Sequence, residues 1–237
     1  MSKDKKPKNM TGITPKGIFK FPNLIKPDFG TDKYPKEGGE YNVRLVMSLE
    51  DAQALIDKLQ PEMDKAEEEA QAKFKELSVP QRKKLGAPKA QDFYQEVYDR
   101  DTEEPTGEVE FRFAMKASGK NAKGEKGERK PTIFDAKGKP VKLKAIWGGT
   151  KGKVSFEVSP YFVDGTGVYG IKLYLRAVQV IELNQGGSRS ASDFGFGEED
   201  GFDSSEMEDE DSNSEGFDDE TDGDEGGDDA AGGPEDF

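Results

Sequence analysis

The chain of 237 residues has no cysteine, no histidine and a single tryptophan. Without cysteine there is no disulfide framework and no thiolate metal site, which fits a reducing cytoplasm. Without histidine, the commonest general base and the commonest metal ligand are both missing. No apolar run is long enough to cross a membrane as a helix. The basic stretch Met1 to Lys8 is not followed by an apolar one, so it does not read as a secretory signal. The expectation is therefore a chain with no metal, no cofactor and no membrane partner. Any catalysis would have to rest on carboxylates.

Charge is abundant and unevenly spread. The formal balance is 35 Lys and Arg against 49 Asp and Glu, which taken whole argues against a nucleic-acid ligand. From Asp193 to Phe237, however, there are 21 acidic residues and no basic one, leaving 28 acidic against all 35 basic residues in the first 192. Two parts of opposite sign share one chain, at +7 and −21 by formal charge.

Residues 1–12 read as a flexible basic arm and 13–183 as a folded domain. Within it, Lys26-Pro27-Asp28-Phe29-Gly30 carries turn chemistry, and Tyr41, Val43, Leu45 and Met47 alternate as in a half-buried strand. A helix follows: Ser48 and Asp51 resemble a capping box. Leu49, Ala52, Leu55, Ile56, Leu59, Met63, Ala66, Ala70, Phe74 and Leu77 keep one apolar stripe. Pro61 predicts a kink or two abutting helices. Residues 78–107 read as a connector with a short helical piece near Asp92–Tyr98, so that the helical insertion covers about residues 49–98.

From 108 to 183 the pattern is that of strands. Val109, Phe111, Phe113 and Met115 alternate with polar neighbours, as do Val154, Phe156 and Val158, and Ile171, Leu173 and Leu175. The alternation slips between Ala177 and Val180, predicting a bulge. Shorter strands fit Thr132–Asp135 and Val141–Trp147, with turns at Asp135–Lys139 and Trp147–Gly152. The result is a mainly β domain of about five or six strands, the number for a small closed barrel. Trp147 reads as a core or loop-anchoring residue or a stacking platform. The Gly-rich stretch after it lacks the spacing and following helix of a phosphate loop. Residues 184–192 are a linker, and 193–237 a tail too poor in apolar residues to order when free.

The outward strand faces mix cations with aromatics. Arg112 and Lys116 share one face, Lys172, Tyr174 and Arg176 another, and Lys153 and Tyr161 a third. The loop Ser118–Pro131 carries Lys123, Lys126, Arg129 and Lys130, and Lys144 follows; Arg112 to Lys153 holds 13 basic and three acidic residues. An ordinary solvated face has the same pattern on any one strand. Several such strands beside a basic loop suit single-stranded DNA, whose phosphates attract cations and whose bases stack on aromatic rings. Positive charge alone also allows weak duplex binding. In the tail, Phe194, Phe196, Phe202, Phe217 and Phe237 stand singly among acid and glycine. A plain solubility tail needs no such rings. They read as short anchors that insert a ring into a partner's pocket while carboxylates meet its cations, with Asp228, Asp229, Glu235, Asp236 and Phe237 as the expected terminal one. The tail as a whole is expected to mimic nucleic acid and compete for its own domain's groove.

The order of several short motifs resembles the single-stranded DNA-binding proteins of T7-type short-tailed bacteriophages. They are Lys26-Pro27-Asp28-Phe29-Gly30, Phe111-Arg112-Phe113, Asp135 with Lys137-Gly138-Lys139, Gly148-Gly149, Val158-Ser159-Pro160-Tyr161, Ile171-Lys172-Leu173 through Glu182-Leu183, and the acidic end Asp236-Phe237. The resemblance implies an OB-fold, a five-stranded Greek-key barrel, with an inserted long α-helix and a disordered acidic tail, and a homodimer. It further implies action in phage DNA replication, recombination and repair in the cytoplasm of an infected bacterial host. In such proteins the tail contacts the phage DNA polymerase and helicase–primase. Tyr161 is then a base-stacking residue and Phe237 the tail anchor. Lys116 stands where the family carries an aromatic, which favours phosphate contact there.

Two other classes compete. An acidic-tailed chaperone of basic proteins would use the tail, but has no use for a basic, aromatic barrel face. A metal-dependent nuclease could draw on Glu108, Glu110 and Asp135, yet these form no tight acidic cluster with a base in the sequence. A binding module rather than an enzyme is the expectation.

Overall fold

The computed structural model describes residues 9–120, 126–184 and 186. The chain divides into two units, Met1–Ser188 and Arg189–Phe237, and all described residues belong to the first. Its elements are β1 (Thr11–Ile13), β2 (Gly17–Thr31), β3 (Tyr34–Ser48), α1 (Leu49–Glu76), α2 (Val79–Leu85), β4 (Lys89–Ala90), β5 (Gln95–Tyr98), β6 (Pro105–Lys116), β7 (Ser118–Lys120), β8 (Lys126–Glu128), β9 (Thr132–Phe134), β10 (Lys151–Val163) and β11 (Val168–Glu182).

Five of these strands close on themselves. β2 pairs β3, β3 pairs β6, β11 pairs β10 and β10 returns to β2, all antiparallel, while β6 and β11 are parallel. This strand order is the expected OB-fold barrel. Alternation fills its interior: Phe19, Val43, Leu45, Phe111, Phe113, Val154, Phe156 and Leu175 are all at most 1% exposed. The Phe113 and Phe156 rings meet at 5.5 Å. Closure is tight where β10 meets β2, at Gly152↔Gly17. A Cβ on Gly152 would lie 2.4 Å from the Gln179 carbonyl oxygen and 2.6 Å from the Phe19 ring.

Helix α1 is inserted between the second and third barrel strands and packs on β10 and β11. Ser48 caps it as expected, its hydroxyl accepting from Asp51 N–H at 3.1 Å. Ala52, Leu55, Ile56, Leu59, Ala66 and Ala70 are buried, whereas Leu49 stays exposed. Each buried leucine contributes about 1.5–3 kcal/mol of transfer free energy. The helix runs through Pro61 unbroken. Both Pro61 and Asp57, whose carbonyl loses its helical partner, are exposed residues.

Other expectations change. Asp92–Tyr98 is not helical: Gln95–Tyr98 is strand β5, paired with β6. The segment before it is captured by β11, with Lys89 N–H on the Gly167 carbonyl and Gln91 N–H on that of Tyr169, both at 2.8 Å. Val141–Trp147 is not a strand but a loop, joined to the sheet by the bridge Phe134↔Pro140; Ile146 is buried and Val141 and Leu143 pack half-buried on the core. Lys26–Gly30 lies inside β2, where its turn chemistry appears as register irregularities and an Asp28 side chain accepting from Gly30 N–H at 2.7 Å. The chain reverses later, at Asp32 and Lys33. The bulges of β11 sit at Arg176 and Ile181, flanking the expected slip. Thr11–Ile13 is already paired with β10, so ordered structure begins before residue 13.

Candidate nucleic-acid interface

The registers decide which side chains share the outer face. On β6 the even-numbered residues Arg112, Ala114 and Lys116 point outward, and on β11 so do Lys172, Tyr174 and Arg176. Tyr174 is level with Ala114, so the ring sits over a small neighbour, between Arg112 and Lys116 one pleat away on either side. On β10 the register Tyr161↔Gly170 and Ser159↔Lys172 brings Tyr161 to the same face.

Tyr161 is held from three sides. Gly170 leaves the space its ring occupies: a Cβ there would lie 3.1 Å from Tyr161 Oη and 2.9 Å from the Gln91 carbonyl oxygen. The phenol donates to Gln91 Oε1 at 2.7 Å, and Lys172 Nζ stands 5.3 Å from the ring centroid. Burial pushes the phenol's pKa up, so it remains a neutral donor. The residue is a fixed aromatic plate with a cation at its face.

Around it opens a cleft of about 480 Å³, lined among others by Glu40, Arg112, Lys116, Tyr161, Lys172 and Tyr174. A second hollow continues it across Lys116 and Tyr174 to Arg129 and Arg176. The two linings hold five cations (Arg112, Lys116, Arg129, Lys172, Arg176) and three carboxylates (Glu40, Asp92, Glu157). Glu40 takes up Arg112 at 2.6 Å and Lys36 at 3.4 Å. The positive surplus is therefore modest, and stacking on Tyr161 and Tyr174 gives the cleft its second handle.

Of the residues expected to bind, the structure gathers Arg112, Lys116, Arg129, Tyr161, Lys172, Tyr174 and Arg176. Lys153 is not with them. It pairs with Gln179, eight residues from Tyr161 on β10, about 26 Å along the strand. Lys130 and Lys144 are exposed but line neither hollow. Lys126 is placed by its backbone in β8. Lys123 and the tail residues Asp228, Asp229, Glu235, Asp236 and Phe237 lie outside the described residues. Trp147 is 54% exposed and is therefore not core; its ring lies close to Gly186, where a Cβ would come within 2.9 Å of it.

Glu40, Gln91, Asp92 and Phe93 line the cleft without having been singled out from sequence. Gln91 matters through a partner 70 positions away, which no local pattern displays. Among the carboxylates that might have served a nuclease, Glu110 pairs with Arg44 at 2.7 Å and Asp135 accepts the N–H groups of Lys137 and Lys139. Among the described residues no group of three or more metal-ligating side chains occurs.

A family model described as "Single-stranded DNA-binding protein, Bacteriophage T7" matches residues 18–183, a span that takes in every cleft residue named above. The single-stranded DNA-binding protein of Enterobacteria phage T3 is 28% identical over 195 residues, covering 78% of this chain and 77% of that protein. Among solved structures, gp2.5, a single-stranded DNA-binding protein encoded by bacteriophage T7, superposes with a TM-score of 0.62 at 23% identity, covering 76% of this chain and 95% of its own. The C-terminally truncated single-stranded DNA-binding protein of bacteriophage Enc34 does so at 0.50 and 15% identity, covering 76% and 94%. The structural likenesses carry the barrel, and the family match carries the kinship. The chain belongs to the bacteriophage T7-type family of single-stranded DNA-binding proteins, a family of binding proteins and not of enzymes.

Proposed function

We propose that this protein coats and protects single-stranded DNA in phage DNA replication, recombination and repair, in the cytoplasm of an infected bacterial host. It does so without catalysis of its own, through the cleft on β6, β10 and β11. The observation that carries this reading is Tyr161, an immobilised ring with a lysine at its face, in a cleft shared with Tyr174 and three cations and continued by a hollow that adds two more. Bases stack on the rings and phosphates meet Arg112, Lys116, Lys172 and their neighbours. Neither contact reads base identity, so the binding tolerates any sequence. The contribution of Lys123, Lys126, Lys130, Lys144 and Lys153 is general phosphate attraction.

The acidic segment 193–237 is, in this proposal, a tethered competitor for the same cations. Its 21 carboxylates, tethered to the domain by the same chain, reach an effective concentration of about mM. Single-stranded DNA displaces it and frees Asp228, Asp229, Glu235, Asp236 and Phe237 to recruit the phage DNA polymerase and helicase–primase. Family resemblance supports these partners and a homodimer, and the charge asymmetry of the chain supports the competition. The test is the affinity for an oligo-dT strand, with and without residues 193–237, over a salt series. Removal of the tail is expected to tighten binding, most at low salt. Absence of single-strand binding by both proteins overturns the proposal. A tail that is itself needed for the main activity, with negligible DNA affinity, favours an acidic-tailed chaperone instead.

A further inference from the structure

We infer that Phe21 is a further base-stacking residue, four strand spacings round the outside of the barrel from Tyr161 by way of β3, β6 and β11. The inference rests on the reading of the Tyr161 cleft as a single-stranded DNA interface.

Phe21 belongs to a bulge. On β2 and β3, Lys20 pairs with Arg44 and Asn23 with Asn42, so Phe21 and Pro22 together oppose Val43. The first residue of such a bulge, when left-handed, is ordinarily glycine. Here it is a phenylalanine at φ +47. The conformation is costly for a side chain of this size. Nothing in the core recovers that cost, because the ring is 71% exposed. Strain held at an exposed aromatic, with no packing to justify it, marks a functional position.

The surroundings say what the ring would meet. Arg44 Cζ stands 5.8 Å from the Phe21 centroid, the arrangement that Lys172 makes with Tyr161 at 5.3 Å. Arg44 is in register with Arg112. The parallel pairs Phe113↔Leu173 and Ala114↔Tyr174 set Arg112 and Lys172, one residue earlier on each strand, level with each other. One row thus runs Lys20, Arg44, Arg112, Lys172 and Ser159 round the barrel, with Phe21 one residue beyond Lys20 on β2 and Tyr161 two residues beyond Ser159 on β10. Beside each end it has an aromatic with a cation at its face, and a cation between them. From β2 to β10 by way of β3, β6 and β11 the row crosses four strand spacings, about 19 Å round the barrel surface, and the barrel closes where Gly152 meets Gly17. A single strand laid along it stacks one base at each end and passes its phosphates over Arg44, Arg112 and Lys172.

Phe21→Gly separates this role from a structural one, because the two predict opposite signs. Glycine accepts the positive φ, so unfolding of the full chain should move to higher temperature or remain where it is. Affinity for a long oligo-dT strand should fall by about 5- to 150-fold, the worth of one stack. Phe21→Tyr, which keeps a ring, should bind like the parent. An oligonucleotide short enough to occupy only the Tyr161 cleft should bind parent and Phe21→Gly equally. Equal affinity of parent and Phe21→Gly for the long strand overturns the inference while leaving the cleft intact. Failure of the parent itself to bind overturns the reading beneath it. A Phe21→Gly chain that is destabilised and weakened on short and long strands alike assigns the ring a structural role and also overturns the inference.

Discussion

Replacing Tyr161 by alanine removes the plate that Gly170, Gln91 and Lys172 hold in place. If bases stack there, the loss is about 1–3 kcal/mol, a rise in Kd of about 5- to 150-fold. Phenylalanine at the same position keeps the ring and loses only the bond to Gln91 at 2.7 Å. That bond is worth about 0.5–1.5 kcal/mol of stability, and affinity should stay within about twofold of the parent, because the stacking face is unchanged. Lys172→Ala should weaken binding through charge, lowering the slope of log K against log salt by about 0.7, one phosphate contact on a single strand. The double replacement should fall short of additivity by about 0.5–1 kcal/mol, the coupling of a cation to an exposed ring. Fluorescence anisotropy of an end-labelled oligo-dT strand, from about 50 to 200 mM salt, measures all four. Alanine binding as tightly as the parent, or phenylalanine as weakly as alanine, would refute the stacking argument.

Three further outcomes follow from the geometry. Glu40→Gln releases Arg112 and Lys36 from a shared carboxylate and should tighten oligo-dT binding at low salt, with the gain vanishing as salt rises. Gly170→Ala pushes against Tyr161 Oη at 3.1 Å and the Gln91 carbonyl at 2.9 Å; it should lower both the thermal midpoint and the affinity, whereas Gly165→Ala, which meets nothing within 4 Å, should change neither. The carboxyl of Asp28 is held below its ordinary pKa, first by the Lys36 ammonium and then by the Gly30 N–H. Its folded pKa is depressed, so its contribution to stability is present above about pH 4 and is lost as pH falls through the folded value. Asp28→Asn should therefore unfold at lower urea than the parent at neutral pH, with the difference shrinking in acid.

The barrel was legible because its strands are buried on one face only: Val109, Phe111 and Phe113, or Val154, Phe156 and Val158, print a period of two directly in the sequence. The helix stripe and the Ser48 cap were legible for the same local reason. Elements held by distant partners were not. Gln95–Tyr98 became a strand because β6 pairs with it, and Val141–Trp147 failed to because Pro140 makes only a bridge to Phe134. The cations and rings of Arg112, Lys116, Lys172, Tyr174 and Arg176 could be grouped by alternation within each strand. Their assembly with Tyr161 into one cleft depends on registers between strands, and so does the exclusion of Lys153. Glu40 and Phe21 escaped notice because their significance lies in Arg112 and Arg44, which only the fold brings near.

The central claim is that single-stranded DNA lies in the cleft of β6, β10 and β11. Photo-crosslinking of the full chain to an oligo-dT strand carrying 5-iodouracil, followed by mapping of the modified peptides, tests it most directly. The account predicts adducts at Tyr161 and Tyr174. Adducts confined to Tyr98 or Trp147, which line neither hollow, would contradict it.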